Sequence, residues 1–245
     1  MKIIALGGGE IRSAETNIID KEIIHLSGKA KPRLLFIPTA SSDSEGYIDT
    51  IQNYFGKKLG CEIDTLLLLQ KKITIKEIER KILNADIIYV GGGNSLKMMN
   101  TWRKNGINNI IKKAVKKGVV LSGVSAGAIC WFKYGSSDSK RFYNPKADLI
   151  RVSGLGLINA LLCPHYDVEK DRKPDLKKLM KKTTGIAIAL DNCCAIEIID
   201  DSYRIISSKN SANAYKVYWK NCVYVEQVIK KDRKFKPMAT LLQKS

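Results

Sequence analysis

Five short runs are apolar almost throughout: KIIALGG from Lys2, RLLFIPTA from Arg33, EIDTLLLL from Glu62, DIIYVGGG from Asp86 and VVLSGV from Val119. The first half of the chain alternates them with amphipathic stretches such as ITIKEIERKILNA. A strand with one wet face alternates apolar and polar residues, whereas a strand apolar on both sides has to be covered on both faces. Runs of the second kind, separated by helical lengths, predict βαβ units and a mainly parallel sheet flanked by helices.

After Phe132 the pattern loosens. KYGSSDSKRFYNPKAD is polar and turn-rich and predicts a long loop, and LINALLCPHYD then returns the chain to the core. KPDLKKLMKK predicts a helix with Pro174 in its first turn. GIAIALDN, CAIEIIDD, SYRIISS and the stretch from Ala214 to Val228 predict extra C-terminal strands and hairpins. With 245 residues and no linker-like segment, the expectation is one α/β domain over 1–245.

Composition narrows the function classes. The opening MKIIALGGGE begins like a secretory signal, but three glycines stop its apolar run after a few residues, and no run reaches the length of a membrane span. The six cysteines lack metal-site spacing and lie mostly in apolar runs, which fits reduced core thiols in a cytoplasmic protein. No metal and no cofactor are expected. The net charge of +18 raises the question of nucleic acid. Much of it, however, sits on helix faces: Lys112, Lys113, Lys116 and Lys117 lie opposite Ile110, Ile111 and Val115, and Lys177, Lys178, Lys181 and Lys182 surround Leu176, Leu179 and Met180. Without a nucleic-acid module or a stacking platform, neither nucleic acid nor membrane is an expected partner.

Ligands of open parallel sheets collect at the carboxyl ends of the strands. Three suggestive segments fall there: PTASSDS after RLLFI, Gly91-Gly92-Gly93-Asn94 after DIIYV, and the turn around Ser125 in GVSAGA. G-x-S-x-G at a strand-to-helix junction is a way of holding a serine nucleophile in an exposed turn. The glycines let backbone amides approach a ligand, so Gly92 and Gly93, with the amide of Ala126, are candidate oxyanion donors, and Asn94 is a candidate substrate contact. Neither GGGEIRS nor GGGNSLKM completes a dinucleotide fingerprint. A serine needs a base to accept its proton, and the chain has only His25 and His165. His25 reads as a helix-end or surface residue. His165 follows an apolar run that surfaces at Pro164, as a positioned base would.

The GGGN segment at 86–94, GVSAGA at 123–128 and PHY at 164–166 together resemble the peptidase E, or aspartyl dipeptidase, group of serine peptidases, which includes the cyanophycinases. The resemblance covers most of the chain. It implies a fold like that of the class I glutamine amidotransferases and hydrolysis through an acyl-enzyme on Ser125 with His165 as base. An α/β-hydrolase would share the serine turn, but there is no HGGG-type loop and no histidine near the carboxyl terminus. For the third member of a triad, the resemblance to peptidase E points to Asp138. The resemblance to cyanophycinases points instead to Asn192, with Asp191 beside it, and Asp138 is the favoured reading.

Peptidase E enzymes cleave after an amino-terminal aspartate, which implies a cation for its carboxylate. Lys133, Arg141 and Arg172 are the candidates, and the two arginines are better suited to a two-point grip. The expected partners are a short peptide and, for assembly, a second copy of the chain. The alternatives are a cyanophycinase-like aspartyl isopeptide hydrolase and a binding protein on the same fold without turnover.

Overall fold

The structure is a computed structural model that describes residues 1–70, 72–168 and 170–244. The five apolar runs form β1 (Lys2–Leu6), β2 (Arg33–Ile37), β3 (Glu62–Thr65), β4 (Ile87–Val90) and β5 (Val120–Val124). They pair in parallel in the order β1-β5-β4-β2-β3. Between them run α1 (Asn17–Leu26), α2 (Glu45–Ile51, continued as a wider turn over Gln52–Lys58), α3 (Ile75–Asn84), α4 (Ser95–Lys104) and α5 (Ile107–Lys116).

β1, β2, β4 and β5 are buried on both sides, as their composition requires, whereas the edge strand β3 takes only Glu62–Thr65 of its run and is partly exposed. Ile3, Ala5, Leu35, Ile37, Ile88 and Leu121 pack toward α3, α4 and α5. Ile4, Leu6, Leu34, Phe36, Ile87 and Val120 pack toward Ile19 and Ile23 of α1 and toward Phe55. Local signals set the helix starts: Thr74 accepts the Glu77 N–H at 3.2 Å to cap α3, and Asn94 accepts the Lys97 N–H at 2.9 Å to cap α4.

The second half adds α6 (Ala126–Ile129), β6 (Phe132–Ser137), β7 (Ile150–Ser153), β8 (Ile158–Cys163), α7 (Arg172–Lys181), β9 (Ala187–Leu190), β10 (Cys194–Ile199), β11 (Ser202–Ser207), β12 (Ala214–Lys220), β13 (Val223–Ile229), β14 (Lys236–Pro237) and α8 (Met238–Leu242). These strands divide between two sheets. β10, β11 and β14 extend the parallel sheet antiparallel beyond β1, whereas β13-β12-β9-β8-β6-β7 form a second sheet in that order. The class is therefore α/β with a mainly parallel sheet flanked by helices and added C-terminal strands.

One expectation is corrected. The segment read as a loop from Lys133 begins as strand β6, whose Ser136 and Ser137 are buried between β8 and β7. Gly135 permits this, because a Cβ there would lie 2.3 Å from Ile129. Among the described residues the six cysteines form no disulfide; five of them are buried and Cys222 is exposed. Among the described residues, no helix is long and apolar enough to cross a membrane.

Candidate active site

Three turns meet at the carboxyl end of the parallel sheet, and each holds a residue other than glycine at positive φ. They are Ser125 (φ 55°), His165 (φ 53°) and Cys193 (φ 62°), which directly follows Asn192. Such conformations cost roughly 1–3 kcal/mol each, so the surrounding structure has to impose them.

For Ser125 the imposing contacts are clear. Its N–H donates to the Leu6 carbonyl of β1 at 3.1 Å, and its own carbonyl receives the Ala128 and Ile129 N–H groups that start α6. The two flanking glycines let α6 lie on the sheet. A Cβ at Gly123 would meet the Gly127 carbonyl at 2.5 Å, and one at Gly127 would meet the Val90 carbonyl at 2.0 Å. The G-x-S-x-G spacing is thus a packing requirement that leaves the serine at the apex of the turn, half-exposed.

His165 is fixed by a bond from its N–H to the Gly7 carbonyl at 3.1 Å, and the next residue, Tyr166, donates to Leu190 at 3.1 Å. Its Nε2 lies 2.8 Å from Ser125 Oγ and its Nδ1 lies 2.7 Å from Asn192 Oδ1. A side-chain carbonyl oxygen can only accept, so Nδ1 carries the hydrogen and Nε2 is left to accept from the serine hydroxyl.

The expectation for Asp138 is corrected by this geometry. Asp138 lies just beyond β6, with Oδ2 3.9 Å from the Arg172 Nη2, and the position it was to fill on the imidazole is occupied by Asn192. Asp191 is buried and turned away, its Oδ2 accepting the Asn213 N–H at 2.8 Å, and burial raises its pKa.

The other candidates sort by what they touch. Gly92 adjoins Ser125, since a Cβ there would lie 3.5 Å from Ser125 Cβ, and Gly91 before it lies against Tyr47, whose Cε1 would be 2.9 Å from a Cβ there. Burial pushes the Tyr47 phenol up to about 12, so it stays protonated at neutral pH. Gly93 adopts φ +134°, and a Cβ there would meet the Ala40 carbonyl at 2.3 Å. Ala126 opens α6, where helical N–H groups have no partner within the helix.

Asn94 is not open to a substrate. It is 5% exposed, caps α4 through its oxygen, and its Nδ2 donates to the Ser139 carbonyl at 3.3 Å. Arg141 is held by the Ala147 carbonyl at 2.9 Å and by Asp171 at 3.1 Å. Arg172 is 1% exposed and donates to the Ser136 carbonyl at 3.1 Å. Both arginines therefore tie α7 to the β6 end of the second sheet. Lys133 lies over the Tyr134 ring, and His25 is exposed in the last turn of α1.

Sequence reasoning missed the first glycine run. A Cβ at Gly8 would lie 2.0 Å from Asn192 Oδ1 and 2.5 Å from His165 Nδ1, and the Gly8 carbonyl receives the Cys193 N–H at 2.9 Å. The three glycines after β1 thus form the floor on which the His165 and Asn192 turns meet. Beside it lies a cavity of about 290 Å3 lined by Gly9, Glu10, Arg12, Ser44, Tyr47 and Thr50 among others.

A model of the peptidase family S51 matches residues 3–206. The chain belongs to peptidase family S51. This S51 chain is 37% identical over 219 residues to the uncharacterized peptidase YgaJ of Bacillus subtilis (strain 168), covering 88% of this chain and 91% of that one. It is 25% identical over 203 residues to peptidase E of Nostoc sp. (strain PCC 7120), covering 77% and 78% of the two chains. Among solved structures, a peptidase from an acI-B1 Actinobacterium superposes with a TM-score of 0.74 at 20% identity over 96% of both chains, a likeness of fold. The S51 chain described here is a serine-type peptidase of the peptidase E type.

Proposed function

We propose that this chain hydrolyses short peptides through an acyl-enzyme on Ser125, with His165 as general base and Asn192 as the residue that orients it. The observation that carries the reading is the unbroken chain Ser125 Oγ, His165 Nε2, His165 Nδ1, Asn192 Oδ1, with links of 2.8 and 2.7 Å. In the first step the serine oxygen attacks the scissile carbonyl carbon while its proton passes to Nε2. The tetrahedral oxyanion is met by the amides of Ala126 and Gly92, with Gly93 next in the chain. His165 then returns the proton to the leaving amine, and water repeats the sequence on the ester. Asparagine fixes the tautomer but adds no charge to balance the imidazolium.

Aspartate at the substrate's amino terminus is the proposed preference. Arg141 and Arg172 are engaged with the protein itself, so the supporting cation is Arg12. Its Nε donates to Thr50 at 3.2 Å at the edge of the cavity shared with Gly9 and Tyr47. The position of Asn192, after the histidine in the chain, favours one second reading, a cyanophycinase-like hydrolase of β-aspartyl isopeptide bonds. A cytoplasmic peptide-processing role accommodates both.

A dipeptide panel tests the proposal. Aspartyl dipeptides should be cleaved faster than asparaginyl or alanyl ones, and Arg12→Met should narrow the difference. Cleavage confined to β-aspartyl-arginine would select the second reading. Ser125→Ala or His165→Ala with substantial residual turnover would overturn the serine mechanism itself.

A further inference from the structure

Asparagine in a triad can act only through its position, because it has no charge with which to attract the imidazolium at a distance. What holds Asn192 in place therefore matters more than it would for a carboxylate. The side chain is one bond from its own backbone, and that backbone N–H donates to Asp167 Oδ1 at 2.8 Å. Asp167 stands two residues after His165, so the bond ties the Asn192 turn to the turn that carries its partner. The neighbouring carboxylate cannot substitute for it, since Asp191 is committed to the Asn213 N–H.

We propose that Asp167 is a positioning residue that holds Asn192 against His165. This rests on the catalytic reading of Ser125, His165 and Asn192 given above. Asp167 is exposed and lines a cavity of about 440 Å3 together with Glu15, Asp191, Asn192, Cys193 and Lys209, among others. Truncating it removes a surface group and leaves the packed interior as it is. Asparagine at position 167 would keep an oxygen able to accept the Asn192 N–H, whereas alanine would not.

The test compares Asp167→Ala, Asp167→Asn, Asn192→Ala and the double alanine variant on a cleaved dipeptide. Asp167→Ala should lower kcat by about ten- to a hundredfold, as for outer partners that orient a reacting group, with KM within about twofold. Asp167→Asn should recover most of that loss, and the double variant should be no slower than Asn192→Ala alone. A second readout needs no turnover: the low-field proton resonance of His165 Nδ1–H should shift or broaden in Asp167→Ala and persist in Asp167→Asn. A wild-type kcat in Asp167→Ala, a change in KM alone, a full multiplicative loss in the double variant, or an unmoved Nδ1–H resonance would each overturn the proposal. Because the resonance is independent of hydrolysis, failure of Asp167 is distinguishable from failure of the serine mechanism.

Discussion

Gly8→Ala is the substitution that separates activity from folding most sharply. The φ of Gly8 lies outside the positive range that other residues avoid, so alanine meets no backbone penalty there. What its Cβ would meet are the tips of two side chains, Asn192 Oδ1 at 2.0 Å and His165 Nδ1 at 2.5 Å. Restoring ordinary contact at about 3.4 Å moves Asn192 Oδ1 by roughly 1.4 Å, far enough to break its 2.7 Å bond to the imidazole. A displacement of this size in a positioned group costs about a hundredfold in rate. Gly7→Ala supplies the contrast, because its Cβ would strike the Asp191 carbonyl at 2.3 Å, a backbone atom that cannot swing aside. Steady-state kinetics and thermal melting of both variants make the assay. Gly8→Ala should fall about a hundredfold in kcat with a melting temperature within a few degrees of the parent, and Gly7→Ala should lose several kcal/mol of stability or fail to fold. A Gly8→Ala enzyme with parental kcat would refute the claim that the His165–Asn192 pair needs this floor.

Other expectations follow from single contacts. Asp138→Asn should change kcat by less than about threefold, because Asp138 faces Arg172 and not the imidazole; a loss of orders of magnitude would restore it to the triad. Gly127→Ala should destabilise by about 3 kcal/mol or more in chemical denaturation, since its Cβ would sit 2.0 Å from the Val90 carbonyl; unchanged stability would remove the packing account of the serine turn. Asp20 gives a pH signature: it is fully buried, its Oδ1 has no hydrogen-bond partner among the described residues, and burial raises its pKa to about 7 against the bonds from Thr16 and Tyr54. The folded state therefore holds this proton more tightly than the unfolded chain. The resulting stability is complete below about pH 4 and is lost as pH rises through about 7, a change on the order of 4 kcal/mol. Melting curves should show Asp20→Asn with a flatter pH dependence between pH 5 and 8 than the parent, and parallel curves would contradict the assignment.

The parallel sheet was legible because four of its five parallel strands, all but the edge strand β3, are apolar on both faces, a pattern few other arrangements can bury. Ser125 and His165 were legible for a related reason: G-x-S-x-G carries its own steric explanation, and the chain holds only two histidines. The choice among Asp138, Asp191 and Asn192 was not, because it depends on which turn the topology brings to the imidazole. β9 joins the second sheet and β10 the first, so residues 191–193 cross between sheets beside β1 and bring Asn192 to His165. Nothing local to Asn192 announces that crossing. Gly7 and Gly8 were similarly opaque, since the atoms they make room for lie more than 150 residues away in the chain. Arg141 and Arg172 looked like free cations because sequence shows charge but not partners. Both turned out to tie α7 to the β6 end of the second sheet.

Covalent trapping of Ser125 tests the proposed serine mechanism. The native enzyme is treated with a fluorophosphonate and digested, and the modified peptide is located by mass spectrometry. A serine activated by a hydrogen-bonded base labels readily, whereas an ordinary surface serine does not. A single adduct is expected on the peptide carrying Ser125, formed in step with loss of peptidase activity, absent in Ser125→Ala and strongly slowed in His165→Ala. An inactivated enzyme with its adduct on another residue, or an active enzyme in which Ser125 stays unmodified, would contradict the proposed mechanism.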